Sequence, residues 1–206
     1  MSDGADTPVL YAAEQIALNR PDGQPLLQGL SFAIRPGLSL VRGGDGRGKS
    51  SLLRLIAGAT TPASGQIRRP ARTIFHESPA DEAHDPVVAR AWLARQRARL
   101  AAGWLPGLEA DLIAAFGLAE HIDKPLFMLS AGSRRKVGLV AAAASAAQLT
   151  LLDTPYAALD ARSGRLLSEL LAEAAADRER AWVIADYELP AGLAGLPLAG
   201  LIDLGD

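Results

Sequence analysis

Residues 43–50 read Gly43-Gly44-Asp45-Gly46-Arg47-Gly48-Lys49-Ser50. They match the spacing G-x-x-x-x-G-K-[ST]. The short apolar run Leu38 to Arg42 precedes them and reads as a strand. Lys49 to Ala57 follows and reads as a helix, with Gly58 as its C-terminal stop. A glycine-rich turn between strand and helix lets successive backbone N–H groups face inward around an anion. The helix N-terminus adds its partial positive charge. This pattern predicts a phosphate site. Lys49 would reach β- and γ-phosphates, Ser50 would ligate Mg²⁺, and Gly43 to Ser51 would supply the binding backbone.

Working outward, Val9 to Leu18 and Leu26 to Ile34 read as two strands around a turn at Asn19 to Gly23. A short strand is expected at Arg72 to Phe75. Val87 to about Glu120 reads as helical, with a break at Gly103 to Gly107. Gly132 to Ala147 reads as a helix, Leu149 to Leu152 as a strand and Arg162 to Ala176 as a helix. Trp182 to Ala185 is a strand, and Leu201 to Leu204 a last strand or edge. Alternating strands and helices imply an α/β chain with a mostly parallel core sheet. To this the N-terminal part adds a small antiparallel portion, and residues 76–128 an inserted helical subdomain. All 206 residues are read as one domain.

The bulk numbers exclude several classes. The formal net charge is −2, against a general nucleic-acid binder. There is no cysteine, which excludes disulfides and cysteine–zinc sites and fits a reducing compartment. Residues 1–8 carry neither a basic nor an apolar leader segment, so no signal peptide is expected. Val137 to Leu152 is too short and too alanine-rich for a membrane span. Any membrane link is expected through a partner.

Leu129-Ser130-Ala131-Gly132-Ser133 opens the helix at 132, with Ser130 placed to cap it. About twenty residues on come Leu149 to Asp153, then Ala158-Leu159-Asp160. In order and spacing these resemble the signature, Walker B and D-loop of the ATP-binding-cassette (ABC) ATPases, with Ala131 and Ser133 as departures from the usual signature. The resemblance covers nearly the whole chain and implies the P-loop NTPase fold of ABC type. It also implies a cycle. Two cassettes pack head to tail, as homodimer or heterodimer, with ATP between one P-loop and the other's signature helix. Ser130, Ala131 and Gly132 would meet the γ-phosphate of the opposite site. Asp153 would hold Mg²⁺ and Asp160 would belong to the nucleotide interface. Integral membrane subunits would be the partners, at the cytoplasmic face of the inner membrane. Gly29-Leu30-Ser31-Phe32, the form LSAG before basic residues, and Phe75-His76-Glu77 resemble the ATP-binding subunits of the haem exporters of cytochrome c maturation.

Three positions depart from that pattern. Thr154 stands where the family places a glutamate that polarises the attacking water. The switch histidine falls at Asp186 or Tyr187, with Tyr187 the preferred register. Glu77 aligns with the Q-loop glutamine, which contacts Mg²⁺ and water. The aromatic expected to stack on the base is missing near Asn19 and Arg20, and Arg20 is a candidate replacement. Two readings follow: an ATPase subunit of a haem-export or related ABC transporter, slow or not, or an ATP-binding scaffold without turnover. Asp186 or Glu77 supplying a carboxylate near the γ-phosphate would favour the first. A P-loop protein without a transporter is a third reading.

Other residues have plainer explanations. Arg90, Arg95, Arg97 and Arg99 read as a solvated basic face, or as a dock for an acidic loop or membrane phosphate. Trp92, Trp104 and Trp182 read as packing residues. His76, His84 and His121 show no metal-ligand spacing. The run Ala141 to Ala147 reads as a helix packed closely on the sheet.

Overall fold

The computed structural model describes residues 8–76 and 78–205. The chain divides into two compact units. The first takes in Met1–His76, Gln148–Pro155 and Leu171–Asp206; the second takes in Glu77–Ala147 and Tyr156–Leu170.

The first unit holds two sheets. Strands β1 (Tyr11–Asn19), β2 (Pro25–Ile34) and β4 (Ser64–Arg68) form an antiparallel sheet in the order β2-β1-β4. Strands β3 (Gly37–Arg42), β5 (Ile74–Phe75), β6 (Leu149–Asp153), β7 (Ala181–Asp186) and β8 (Gly200–Asp203) form a parallel sheet in the order β5-β6-β7-β3-β8. Its central strands are near-continuous apolar runs because both faces are covered: Leu38, Val41, Leu149, Val183 and Ile184 are all buried. Helix α1 (Lys49–Ala57) buries Leu52, Leu53, Leu55 and Ile56 in the same core as Tyr11, Ile16 and Ile34. It stops where expected. Gly58 takes a left-handed conformation (φ 82°), and the N–H groups of Gly58 and Ala59 close on Leu55 and Arg54 carbonyls at 3.0 and 2.9 Å.

Parallel pairing puts the carboxyl ends of the strands on one edge. Arg42 registers with Asp186 on one side and Asp203 on the other, and Asp153 registers with Ala185. That edge is where open α/β sheets bind ligands.

The second unit is helical: α2 (Ala89–Arg99), α3 (Pro106–Ala115), α4 (Ala131–Ala144), and the start of α5 (Ala161–Ala176). Pro106 begins α3, where a missing N–H costs nothing. Trp92 and Trp104 are buried here, and Trp182 is buried in the first unit, as packing residues. The indole N–H of Trp104 donates to the buried Glu109 carboxylate at 2.7 Å, and Arg97 reaches its other oxygen at 3.3 Å. The basic face of α2 is partly paired, with Arg90 on Asp123 at 2.6 Å. The alanine run is helical only as far as Ala144, where α4 ends, and Ala146 takes a left-handed conformation (φ 44°). Within its unit the run lies along α3 and α2, and Leu105 N–H donates to Ala144 O at 2.8 Å. Small side chains permit that helix–helix approach. No helix of the described residues is long and apolar enough to cross a membrane.

A candidate nucleotide site

The loop after β3 is shaped by its glycines. Gly48, the residue before α1, has φ 100° and carries no side-chain cap. An L-residue is strained at that φ. A β-carbon there would also come within 3.1 Å of Leu26. The first N–H groups of α1 are therefore left for a ligand rather than for a capping side chain. Lys49 folds back over the loop, its ammonium donating to the carbonyls of Gly43 and Gly44 at 2.6 and 2.9 Å. A cation is thereby fixed beside the N–H array. On the far wall the Arg20 guanidinium donates to Gly46 O at 3.3 Å.

These groups enclose a cleft of about 390 Å³ that also takes in Ser50, Ser51, Asp153 and Thr154. Asp45 and Arg47 lie on its exposed rim, whereas Gly43 is buried against Leu204 and Gly205. The Ser50 hydroxyl and the Asp153 carboxylate are hard oxygen donors in one cleft. This donor set fits Mg²⁺, which takes one or two protein oxygens and completes its shell with phosphate and water. Among the described residues no group of three or more His, Asp or Glu side chains gathers into a metal site of its own.

Thr154 is held in an unusual way. Its φ is 40°, and its N–H donates to Ala185 O at 2.8 Å. A β-branched residue rarely takes this conformation, which costs about 1–3 kcal/mol. The hydrogen bond to β7 keeps the turn in place after Asp153. Asp186 ends β7 and its carboxylate accepts from the N–H of Tyr187 at 2.8 Å. The Tyr187 ring is exposed. Neither residue lines the cleft. Glu77 lies outside the described residues.

Ser130, Ala131 and Gly132 begin α4 in the second unit. Ser130 caps the helix, accepting from Ser133 N–H at 3.1 Å. Arg134 anchors the first turn, donating to Leu126 O and Asp85, both at 2.6 Å. Two relationships were not visible in sequence. The carbonyl of Ala158 packs against Gly132. Lys136 pairs with Asp160 at 2.7 Å while Asp160 caps α5 through Ser163 N–H at 2.9 Å. Lys136 and these Ser163 bonds hold the Asp160 carboxyl well below the usual carboxylate range.

The ABC transporter family model matches residues 27–157. The chain belongs to the ABC transporter family. Among the curated ABC relatives are proteins named cytochrome c biogenesis ATP-binding export protein CcmA. The Hyphomonas neptunium protein is 33% identical over 169 residues, covering 80% of this chain and 83% of its own length. The Cupriavidus pinatubonensis protein is 34% identical over 206 residues, covering 94% and 90%. Among solved structures, an ABC transporter ATP-binding protein from Pyrococcus furiosus superposes with TM-score 0.71 at 18% identity, covering 94% of this chain and 96% of its own. An ATP-binding cassette in its ADP conformation gives TM-score 0.63 at 17% identity, covering 89% and 83%. The fold is that of the ABC ATPases, with a parallel core sheet and a small antiparallel one.

Proposed function

We propose that this chain is the ATP-binding subunit of an ABC-type membrane complex that serves haem export in cytochrome c biogenesis. The observation that carries ATP binding is one cleft joining the uncapped N-terminus of α1, the Lys49 ammonium and the Asp153 carboxylate. The pathway rests on the CcmA relatives, whose names give them that role. Integral membrane subunits are the partners. The chain acts as a peripheral subunit at the cytoplasmic face of the inner membrane, as one domain whose helical part spans roughly residues 76–128.

In this reading Lys49 and the N–H groups of Gly44 to Ser51 hold the phosphates, and Ser50 and Asp153 hold Mg²⁺. Mg²⁺, when bound, neutralises the triphosphate's charge. Two copies, or this chain and a related subunit, close around the nucleotide, with Ser130 and Gly132 of one facing the γ-phosphate of the other. Thr154 offers a hydroxyl with no basic character to orient the attacking water. Loss of a general base costs about 10²–10⁴ in rate, roughly 3–5 kcal/mol of barrier. Binding is therefore retained and hydrolysis is slow. Thr154 also favours a second reading, in which binding alone assembles the complex.

The test is phosphate release by the chain with its membrane subunits, beside Lys49→Ala and Thr154→Glu. Slow release that K49A abolishes and T154E raises supports the first reading. Release equal to that of K49A, with ATP still bound, supports the scaffold. No ATP binding at all overturns both.

A further inference from the structure

The peptide unit between Gly43 and Gly44 is held from both sides. Its carbonyl, on Gly43, accepts from the Lys49 ammonium at 2.6 Å. Its N–H, on Gly44, donates to Gly205 O at 2.9 Å. In a trans peptide these two groups point in opposite directions. Whatever fixes the N–H therefore aims the carbonyl. With glycine on both sides, no β-carbon resists rotation of the peptide plane. Rotated, the unit would turn an N–H toward the ammonium, and that contact repels. Gly205 O is itself held. Gly205 takes a left-handed conformation (φ 78°), and its N–H donates to Asp203 Oδ1 at 3.0 Å. The other oxygen of Asp203 pairs with Arg42, the residue before the loop. Leu204 N–H donates to Arg42 O at 2.8 Å. The loop entry also packs on this segment: a β-carbon on Gly43 would come within 3.0 Å of Leu204 Cβ and 3.1 Å of Gly205 O. Bonding between the two chain segments thus runs on past Arg42 and Asp203, where the register of β3 with β8 ends.

We propose that Asp203 is a positioning residue for the phosphate-binding lysine. It holds Arg42 and the Gly205 N–H, so that Gly205 O fixes the Gly43–Gly44 peptide and the Gly43 carbonyl keeps the Lys49 ammonium over the loop. Asp203 does not line the cleft and acts only through this backbone. The proposal rests on the reading of the cleft as a phosphate site and adds what orders its cation. Without the Asp203 carboxylate the peptide samples both orientations. The ammonium is then ordered only when phosphate arrives, and that ordering counts against binding.

The chain has three lysines, Lys49, Lys124 and Lys136, so Lys49 can be followed by itself. Lys124 belongs to the other unit and serves as the internal reference. The experiment is a pulse of acetic anhydride on the full chain and on Asp203→Ala and Asp203→Asn, with acetylation at each lysine read by mass spectrometry. Calorimetric binding of inorganic tripolyphosphate with Mg²⁺ runs beside it. D203A is expected to raise the Lys49-to-Lys124 labelling ratio about threefold or more and to weaken tripolyphosphate by about 3–10-fold, as loss of a hydrogen bond allows. D203N keeps an acceptor for the Gly205 N–H and should fall between D203A and the unaltered chain in both readouts. Should D203A fail to fold, the same two shifts in D203N decide. An unchanged labelling ratio overturns the proposal whatever happens to affinity, because a general loosening raises both lysines together. A raised ratio with tripolyphosphate affinity unchanged overturns it as well. Tripolyphosphate failing to bind the unaltered chain counts against the cleft as a phosphate site, and the labelling ratio then still decides whether Asp203 positions Lys49.

Discussion

A β-carbon placed on Gly132 would lie 2.4 Å from the carbonyl oxygen of Ala158. No such contact is tolerated, and the obstacle is backbone rather than a flexible side chain. The start of α4 and the 158–160 turn are thus fitted to one another through a glycine. On helix propensity alone, Gly132→Ala would stabilise α4 by up to about 1 kcal/mol. The overlap outweighs that gain, since forced repacking costs about 1–3 kcal/mol. G132A is expected to lower the urea midpoint, and a raised midpoint would show that the turn moves aside freely.

Thr154 gives the opposite sign. Its left-handed backbone is strained by a β-branched side chain, and asparagine accepts that conformation far better. Thr154→Asn is expected to stabilise the folded chain by about 0.5–1 kcal/mol in denaturant unfolding. The same backbone bears on Thr154→Glu: any side chain there leaves a turn already fixed by the Ala185 hydrogen bond. T154E should therefore gain hydrolysis without gaining stability. A rise in the unfolding midpoint equal to that of T154N would contradict the strain argument.

Much of this was legible in sequence because it is local. GGDGRGKS carries its own turn chemistry, and both ends of α1 fall where Gly48 and Gly58 require. The five parallel strands announce themselves as short apolar runs. Strand β4 does not. Of Ser64 to Arg68 only Ile67 is even half-buried, so no alternation marks the strand, and it exists through its antiparallel pairing with β1. The fit of Gly132 to Ala158 and the pair Lys136–Asp160 were equally silent. They join segments on either side of β6, and only folding brings them together. Thr154, Asp186 and Tyr187 stood out in sequence as departures from a pattern. What sequence missed is that Thr154 shares the Asp153 cleft whereas Asp186 and Tyr187 do not line it.

Glu109 is buried on α3 with both oxygens engaged, by Trp104 and by Arg97. Arg97 is half exposed and can be hydrated if its partner is lost, but the indole N–H cannot. Glu109→Leu strands that buried donor and is expected to cost about 1–3 kcal/mol. Glu109→Gln retains an acceptor of the same length and should cost much less. Equal losses in thermal unfolding would show that the Arg97 charge pair, and not the indole bond, is what matters.

Asp160 links α4 to the start of α5, and its acidity sets a pH dependence. Its carboxyl is held well below the ordinary value, first by the Lys136 hydrogen bond and then by the N–H and hydroxyl of Ser163. A carboxylate whose pKa is depressed on folding stabilises the fold above its unfolded value, near 4, because the unfolded chain takes up protons first. That contribution is complete at neutral pH and shrinks as pH falls from about 4 toward the folded value. The thermal midpoint of Asp160→Ala should therefore lie below that of the unaltered chain at pH 7, and the gap should narrow at pH 3. Lys136→Met should lower the midpoint less than D160A, because the cap to Ser163 survives. A gap that stays constant between pH 7 and pH 3 would mean that the Asp160 side chain acts through packing and not through its charge.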